Sequence, residues 1–481
     1  MSARHPFTAV RSLGSYGSVD EDLLHVLSGL PGQRDPASAP GAWKIVDRLV
    51  RDVTGRDGGG SPLSPLAGPG HTIVVKPNFV RDFNECPGGS PEAVVTPWGL
   101  IYPLIDMALE CVGRSGRVVL ADAPMHDCSP ERILARGRWD EAVGHYASGG
   151  FDVSFIDLRQ ASWTIDEGVI RGRRPLKGDP SGYVICDLAG DSEFEGLGRD
   201  LRKLRGTSFD DAETRRRHSP GRHEYLLSRT VMSADLVINA ARLKTHGKIG
   251  ITGATKNIVG INGDKNWLPH WRAGFPGSGG DQYPSRTAGR MIRHLLLEAI
   301  WPFLRNGAVA SAVAGILRVV HGAGARGLAG GGAWRGNDTT WRMVCDLNKA
   351  LLYCDASGKV VRSGAGRKVL HLLDAVEAGQ GEGPLGPEPV RSGFVGCSSD
   401  PVLLDSACAR LVGLDPRRIP YIVRASAVQR LPFTLSGAAA ACLLFDGEPV
   451  LREELLPRVR LRAPRGWAGA VEMEGESGSV R

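Results

Sequence analysis

The chain has 481 residues, 42% hydrophobic and 23% charged, with 59 Lys and Arg against 52 Asp and Glu and a formal net charge of +7. That composition is that of a soluble globular protein, and the length fits two domains or one large α/β domain with insertions. The positive balance suits an anionic partner, but no compact Lys/Arg block is interleaved with aromatics, so nucleic acid is not the expected one.

The nine cysteines are scattered with no CxxC pair, which leaves no argument for a zinc ribbon or a ferredoxin-type cluster and points to core thiols in a reducing cytosol. MSARHPFTAVRSLG lacks the apolar core of a signal peptide, so a cytoplasmic location is expected. The most hydrophobic region, Leu295 to Val320, is broken by Glu298, Pro302, Arg305 and Arg318. It falls short of the ~20 apolar residues that a membrane span needs.

Thr8–Leu13 reads as a short strand and Asp20–Leu27 as a helix. A Pro/Gly/Ser/Ala-rich connection over 31–70 follows, with a helical pattern at Trp43–Val53. In HTIVVKPNFV, Ile73-Val74-Val75 is a buried strand and Pro77 holds Lys76 extended. Lys76 and Asn78 then emerge at the strand's carboxyl end, where open α/β sheets place ligands. Thr96-Pro97 has the chemistry of a helix start, with Thr96 as cap. Leu100, Ile101, Leu104, Ile105, Ala108, Leu109 and Val112 recur at helical spacing until Gly113. Arg117–Ala121 is the next buried strand, and Asp122 leaves its end. This order predicts a βαβ unit and a parallel sheet. Asp122 is a candidate metal ligand, hydroxyl acceptor or base; a turn-capping aspartate accounts for it equally well. Phe151–Leu158 reads as a further strand.

Asp235 to His270 is the chemically densest stretch. Leu236-Val237-Ile238 is a buried strand that leads through Asn239 to Lys244, Thr245 and His246. A glycine-dense run follows, carrying Lys248, Thr252, Thr255, Lys256, Asn257 and Lys265. Glycines admit close backbone approach, and lysines, hydroxyls and exposed N–H groups donate, so the run predicts a cradle for an anionic ligand. GITGATKN is not GxxxxGK[ST] and GKIGITG is not GxGxxG, so neither ATP nor NAD is claimed. His246 is the candidate general acid–base, since imidazole titrates near neutrality. Lys244 and Asp122 join it as catalytic candidates; Lys76, Asn78, Lys256 and Asn257 are candidates for substrate binding.

Residues 271–336 read as an insertion, with apolar helices on either side of Pro302 and a glycine-rich run from Gly322 to Gly336. A helix capped by Asn337 or Asp338 then carries Trp341, Arg342, Asp346 and Lys349. Arg342 either clamps a substrate carboxylate or phosphate or pairs with Asp338 one turn away. LHLLDAVEAGQGEGPLGP gives an apolar stretch, Asp374, Glu377 and a Gly/Pro loop. Asp400 caps and Pro401 opens a helix with Asp405 in its first turns. Asp374 and Asp405 are candidate oxygen ligands for a divalent metal such as Mg²⁺. The helices of 291–320 are a candidate oligomer contact.

VKPNFV, ADAP, INAARLKTHGKIGITGATKNIVGINGDK, DLNKAL, LLDAVEAGQGEGPLG and SSDPVLLDSACARLVGLDP follow one another over roughly residues 70–422. In wording and order they resemble the bacterial and archaeal family called domain of unknown function 362 (DUF362). The resemblance implies a cytosolic α/β protein. It implies that Lys76, Asn78, Asp122, Lys244, His246, Lys256, Asn257, Asp374 and Asp405 fall on characteristic positions, and it implies no established reaction. Many members carry a ferredoxin-like module with CxxCxxC repeats; this sequence has none, so no iron–sulfur cluster is expected.

The fold expectation is α/β, a mostly parallel sheet with flanking helices in Rossmann-like layers. Residues 1–270 and 337–459 would form the α/β domain, 271–336 a helical insertion, and 460–481 a disordered tail. Two functional readings stand. One is an enzyme that acts on a small carboxylate or phosphate metabolite by His/Asp acid–base chemistry, with a divalent metal as an optional partner. The other is a non-catalytic binding protein for an anionic cofactor, nucleotide or metal.

Overall fold

The computed structural model describes residues 8–166, 169–206, 211–300, 331–428, 430–435 and 442–474. Among them, ten strands make the main sheet. They are β1 (Thr8–Ser12), β2 (Thr72–Lys76), β3 (Arg117–Asp122), β4 (Asp152–Asp157), β5 (Leu236–His246), β6 (Gly250–Thr252), β7 (Lys368–Glu382), β8 (Gly386–Ser398), β9 (Cys442–Phe445) and β10 (Glu448–Leu451). The order across the sheet is β10-β9-β1-β8-β7-β5-β2-β3-β4, with β6 folded back on the end of β5.

The block β7-β5-β2-β3-β4 is parallel. β8 runs antiparallel to both β7 and β1. From β2 the chain moves outward to β3 and β4, then returns to the other side of β2 as β5. β2 and β5 therefore flank the point where the winding reverses, and open α/β sheets bind ligands at the carboxyl ends of such a pair.

The strands are legible as apolar runs because the sheet is covered on both faces. Ile73, Val75, Leu120, Leu236, Ile238 and Ala240 join one core. Val74, Val119, Val237, Ala241 and Leu243 join the other. Helices Gly41–Thr54 and Trp98–Val112 cover the first face. Helices Thr340–Tyr353 and Pro401–Leu411 cover the second. The layered α/β expectation is met.

Four local expectations are corrected. Thr96 does not cap the helix that starts at Trp98, whose N-cap is Pro97 with no side-chain bond. Its Oγ1 instead accepts from Asn78 N at 2.8 Å and donates to Ala240 O at 2.8 Å, tying the end of β2 to β5. The Gly/Pro loop expected after Glu377 is a hairpin: β7 continues to Glu382 and β8 returns in register, Glu382 opposite Gly386.

The 271–336 segment is not set apart from the domain. Trp271 and Arg272 pair with Arg205 and Leu204, and Asp281 accepts from Asp338 N and Thr339 Oγ1 at the start of helix Thr340–Tyr353. Helix Ala288–Ile300 leaves Ile292, Leu295 and Leu296 exposed. Residues 301–330, which carry the rest of the expected apolar helices and oligomer contact, lie outside the described residues. The expected tail is also ordered in part: Leu461, Ala463, Trp467 and Val471 are core residues. No helix among the described residues is long and apolar enough to cross a membrane.

Candidate functional site

The carboxyl ends of β2, β3 and β5 open into a cavity of ≈ 170 Å³. Ligand pockets for drug-sized molecules run to roughly 300–1,000 Å³, so this one suits a small metabolite. Lys76, Asn78 and Asp122 line it from the ends of β2 and β3; His246, the last residue of β5, and Lys248, Thr252, Lys256, Asn257, Lys265 and His270 from the chain that follows complete it. Pro384 and Leu385, in the turn of the β7–β8 hairpin, close one side.

Polar bonds between strand ends set the floor. Lys76 Nζ donates to Asp122 Oδ1 at 2.7 Å, to Pro77 O at 2.8 Å and to Asn257 Oδ1 at 3.3 Å. Asp122 also accepts from Phe79 N at 2.8 Å and Ala123 N at 2.9 Å. Asn78 Nδ2 donates to Asn257 Oδ1, and Asn257 Nδ2 to Asn239 Oδ1, both at 2.7 Å. A Cβ at position 260 would collide with Asp122 Oδ1 and Lys76 Nζ, so glycine there lets the backbone lie on the ion pair. Ala123 N donates to Gly260 O at 2.8 Å, which locks that approach.

Above the floor the field is positive. Lys265 Nζ donates to Ala123 O at 2.6 Å. Lys248 Nζ lies 4.4 Å from the centre of the Trp271 ring and donates to Gly331 O. Lys256 has no hydrogen-bond or ion-pair partner among the described residues. Burial pushes the Lys248 and Lys265 ammonium groups down to about 8. Burial, then Lys265, Lys76 and Lys248, pushes Lys256 down to about 7. Removing water from like charges held together disfavours the charged form, and both causes act in the same direction here.

The partners of the two histidines assign their tautomers. His246 Nδ1 accepts from Lys248 N at 3.0 Å, so its proton sits on Nε2. His270 Nδ1 donates to Leu268 O at 2.8 Å, so Nε2 keeps its lone pair. Burial, with the Lys256 and Lys248 charges next, holds both rings well below the usual imidazole range. One cavity therefore offers a neutral donor, a neutral acceptor and several ammonium groups. Thr252 adds a buried hydroxyl with no hydrogen-bond partner among the described residues.

The family model described as Domain of unknown function (DUF362) matches residues 187–410. Residues 187–410 belong to the DUF362 family. No curated protein and no solved structure gave a match. The DUF362 region supplies β5, β6, β7 and β8, and with them both histidines and Lys248, Lys256 and Lys265; Lys76, Asn78 and Asp122 come from the chain before it.

Of the residues singled out in the sequence, Lys76, Asn78, Asp122, His246, Lys256 and Asn257 converge on the cavity. Lys244 does not line it. Its Nζ donates to Asn78 Oδ1 at 2.6 Å and to Val94 O at 2.5 Å, so it orients Asn78 from behind. Asp122 is the counter-ion of Lys76 rather than a free base. Arg342 is also elsewhere: it pairs with Asp338, lies over Trp341 and donates to Glu193 O, which is the helix-face arrangement.

Both expected metal ligands in the DUF362 region have protein donors instead. Asp374 pairs with Arg242 and accepts from Tyr16 Oη and Val376 N. Asp405 accepts from Ala254 N at 2.6 Å, Thr255 N at 3.0 Å and Tyr421 Oη at 2.9 Å, bracing the turn that carries Lys256. Neither lines the cavity. No group of three or more His, Cys, Asp or Glu side chains among the described residues is placed to hold a metal ion.

His270 is the functional candidate that sequence reasoning passed over. It follows the glycine-dense run in irregular backbone and matches no motif. The one available signal was its place at the end of a stretch already rich in donors.

Proposed function

We propose that the chain is an enzyme acting on a small anionic metabolite, a carboxylate or phosphate, with His270 as proton acceptor and His246 as hydrogen-bond donor. One observation carries the reading. Lys248, Lys256 and Lys265 share a cavity with the Lys76–Asp122 pair, and the only carboxylate among the described residues that line it is already matched. An anion would relieve the crowding, and the unpartnered Thr252 hydroxyl would gain a partner. A hard cation suits this donor set poorly, because the surplus charge has its own sign. A cytosolic setting, with no nucleic acid as partner, belongs to the same proposal.

The test is calorimetric titration of oxalate and of inorganic phosphate into the wild type and Lys265→Met, followed by a turnover screen of small 2-oxo and phosphorylated acids. Binding that weakens about tenfold in the variant, about 1.4 kcal/mol, supports the site. Turnover lost in His270→Gln with binding retained supports catalysis. Absence of binding by either anion at millimolar concentration sinks the proposal.

The crowded ammonium groups also favour a second reading, a non-catalytic holder of an anionic cofactor. Native mass spectrometry distinguishes it: a ligand that co-purifies and leaves chemically unchanged points to a holder.

A further inference from the structure

Among the lysines that line the cavity, Lys256 differs in kind. Lys76 is bonded to Asp122, Lys265 to Ala123 O, and Lys248 to Gly331 O and the Trp271 face. Lys256 has no hydrogen-bond or ion-pair partner among the described residues. A lysine meant only to hold an anion gains nothing from being left unbraced. One meant to form a covalent bond must be free to reach the reacting carbon.

Lys256 sits on the short helical turn Ala254–Asn257, which is itself rigidly held. Asp405 accepts from Ala254 N and Thr255 N, Asn239 Nδ2 donates to Ala254 O, and Asn257 is bonded to Asn78 and Asn239. The backbone is fixed while the amine is loose. Lys256, His246 and His270 all line the one cavity, so the three groups face a common space.

We propose that Lys256 is a nucleophile that forms a Schiff base with a small anionic carbonyl compound, a 2-oxo acid or an aldehyde acid, held by Lys248 and Lys265. This rests on the anion-site reading above and specifies its substrate class. Two features support the amine as nucleophile. It is the unbraced one, and burial with three neighbouring ammonium groups brings it to about 7, so a large share is the free base near neutrality.

The step balances with no outside reagent. Lys256 Nζ adds its lone pair to the carbonyl carbon, a C–N bond forms, and the C=O pair moves to oxygen, steadied by the His246 Nε2–H. The proton that nitrogen gives up passes through His270 Nε2 to that oxygen, giving a carbinolamine. The C–O bond then breaks and the hydroxyl leaves as water with the second nitrogen proton, closing C=N. Nothing is oxidised or reduced, and hydrolysis runs the step in reverse.

The test uses glyoxylate, a small anionic aldehyde, with cyanoborohydride to reduce any imine to a stable N-carboxymethyl group. Intact-mass and peptide mapping then read which lysine is modified and how fast. The expected result is one carboxymethyl group on Lys256, added at least tenfold faster than on surface lysines at pH 7 and suppressed by oxalate. The wild type alone carries the comparison, and Lys256→Arg, checked by circular dichroism, should lose the fast site while staying folded. If oxalate binds calorimetrically but Lys256 labels no faster than surface lysines, the nucleophile proposal is overturned and the anion site stands. If Lys256 labels selectively while oxalate neither binds nor protects, the nucleophile stands and the anionic substrate class falls.

Discussion

Lys76 Nζ and Asp122 Oδ1 are 2.7 Å apart, with side chains 1% and 4% exposed, and they join the ends of two neighbouring parallel strands under the cavity floor. A buried pair of this kind is a poor source of net stability, yet breaking it leaves a lone buried charge. Asp122→Asn is expected to destabilise the fold by about 3–5 kcal/mol in urea unfolding. The Lys76→Met/Asp122→Asn double variant should recover part of that loss, since no unpaired ammonium remains. Additive effects of the two single changes would refute the coupling. Gly260→Ala should perturb the same pair without touching either charge, because the new methyl collides with both partners.

Anion binding should take up protons. Free Lys256 is held at about 7 and Lys248 and Lys265 at about 8, and a bound anion raises all three. The complex then binds more protons than the free protein from pH 7 upward, so affinity falls as pH rises through 7–9. Calorimetry of oxalate in two buffers of different ionisation enthalpy, at pH 8, measures the uptake directly. Proton release, or no linkage, would contradict the charge reading of the cavity.

Acid should unfold the protein earlier than its carboxylates alone would. His126, His218 and His371 are held at about 3 by burial, and His246 and His270 well below the ordinary value of 6.5. Their folded-state pKa values are depressed, so their stability is fully present above 6.5 and lost as pH falls from there toward 3. Asp22 and Asp405, raised by burial to about 6, act in the opposite sense between 6 and 3.8. Burial raises Asp106, Glu110, Asp281, Asp346, Asp374 and Asp400 in that same sense, so the imidazole contribution is read by difference: melting temperature should fall less steeply, or rise more, from pH 6.5 to 4 in His371→Gln than in the wild type. Equal slopes would show that the His371 imidazole protonates in the folded state.

Much of the sheet was readable because parallel strands buried on both faces are continuous apolar runs, and Ile73–Val75, Val118–Ala121 and Leu236–Ile238 are such runs. The polar residues that end them, Lys76, Asp122 and His246, followed from the rule about carboxyl ends. What failed was local chemistry with two physical solutions. Thr96 beside Pro97 looks like a cap, but its hydroxyl had a better use joining Asn78 to Ala240. Gly379, Gly381 and Pro387 read as a loop, yet they sit in a hairpin where Gly379 makes room for Lys244 and Pro387. Asp374 and Asp405 looked like ligands because sequence shows a carboxylate but not the donors already aimed at it.

Lys256→Met is expected to separate stability from binding. The ammonium has no partner among the described residues, so replacing it with an apolar chain of similar length removes charge crowding and should stabilise the unliganded fold by about 1 kcal/mol. The same change should weaken oxalate binding about tenfold, about 1.4 kcal/mol. Thermal melting and calorimetry on one sample read both. A variant that is less stable than the wild type would mean that the amine has a structural partner.

Trp467 extends the site's support into the expected tail. Its ring is 1% exposed and lies against Gly250, and its Nε1 donates to Gly247 O at 2.6 Å, behind the turn that carries His246 and Lys248. Trp467→Ala should cost about 3–5 kcal/mol in urea unfolding, as large aromatic-to-alanine changes in cores do. Trp467→Phe keeps most of the packing but leaves the Gly247 carbonyl unpaired, at about 1–3 kcal/mol. Because Lys248 N is the donor that fixes the His246 tautomer, both variants should also weaken oxalate binding more than an equally destabilising change in the other core, such as Leu104→Ala. Equal effects from the two positions would mean that Trp467 contributes packing alone and does not orient the site.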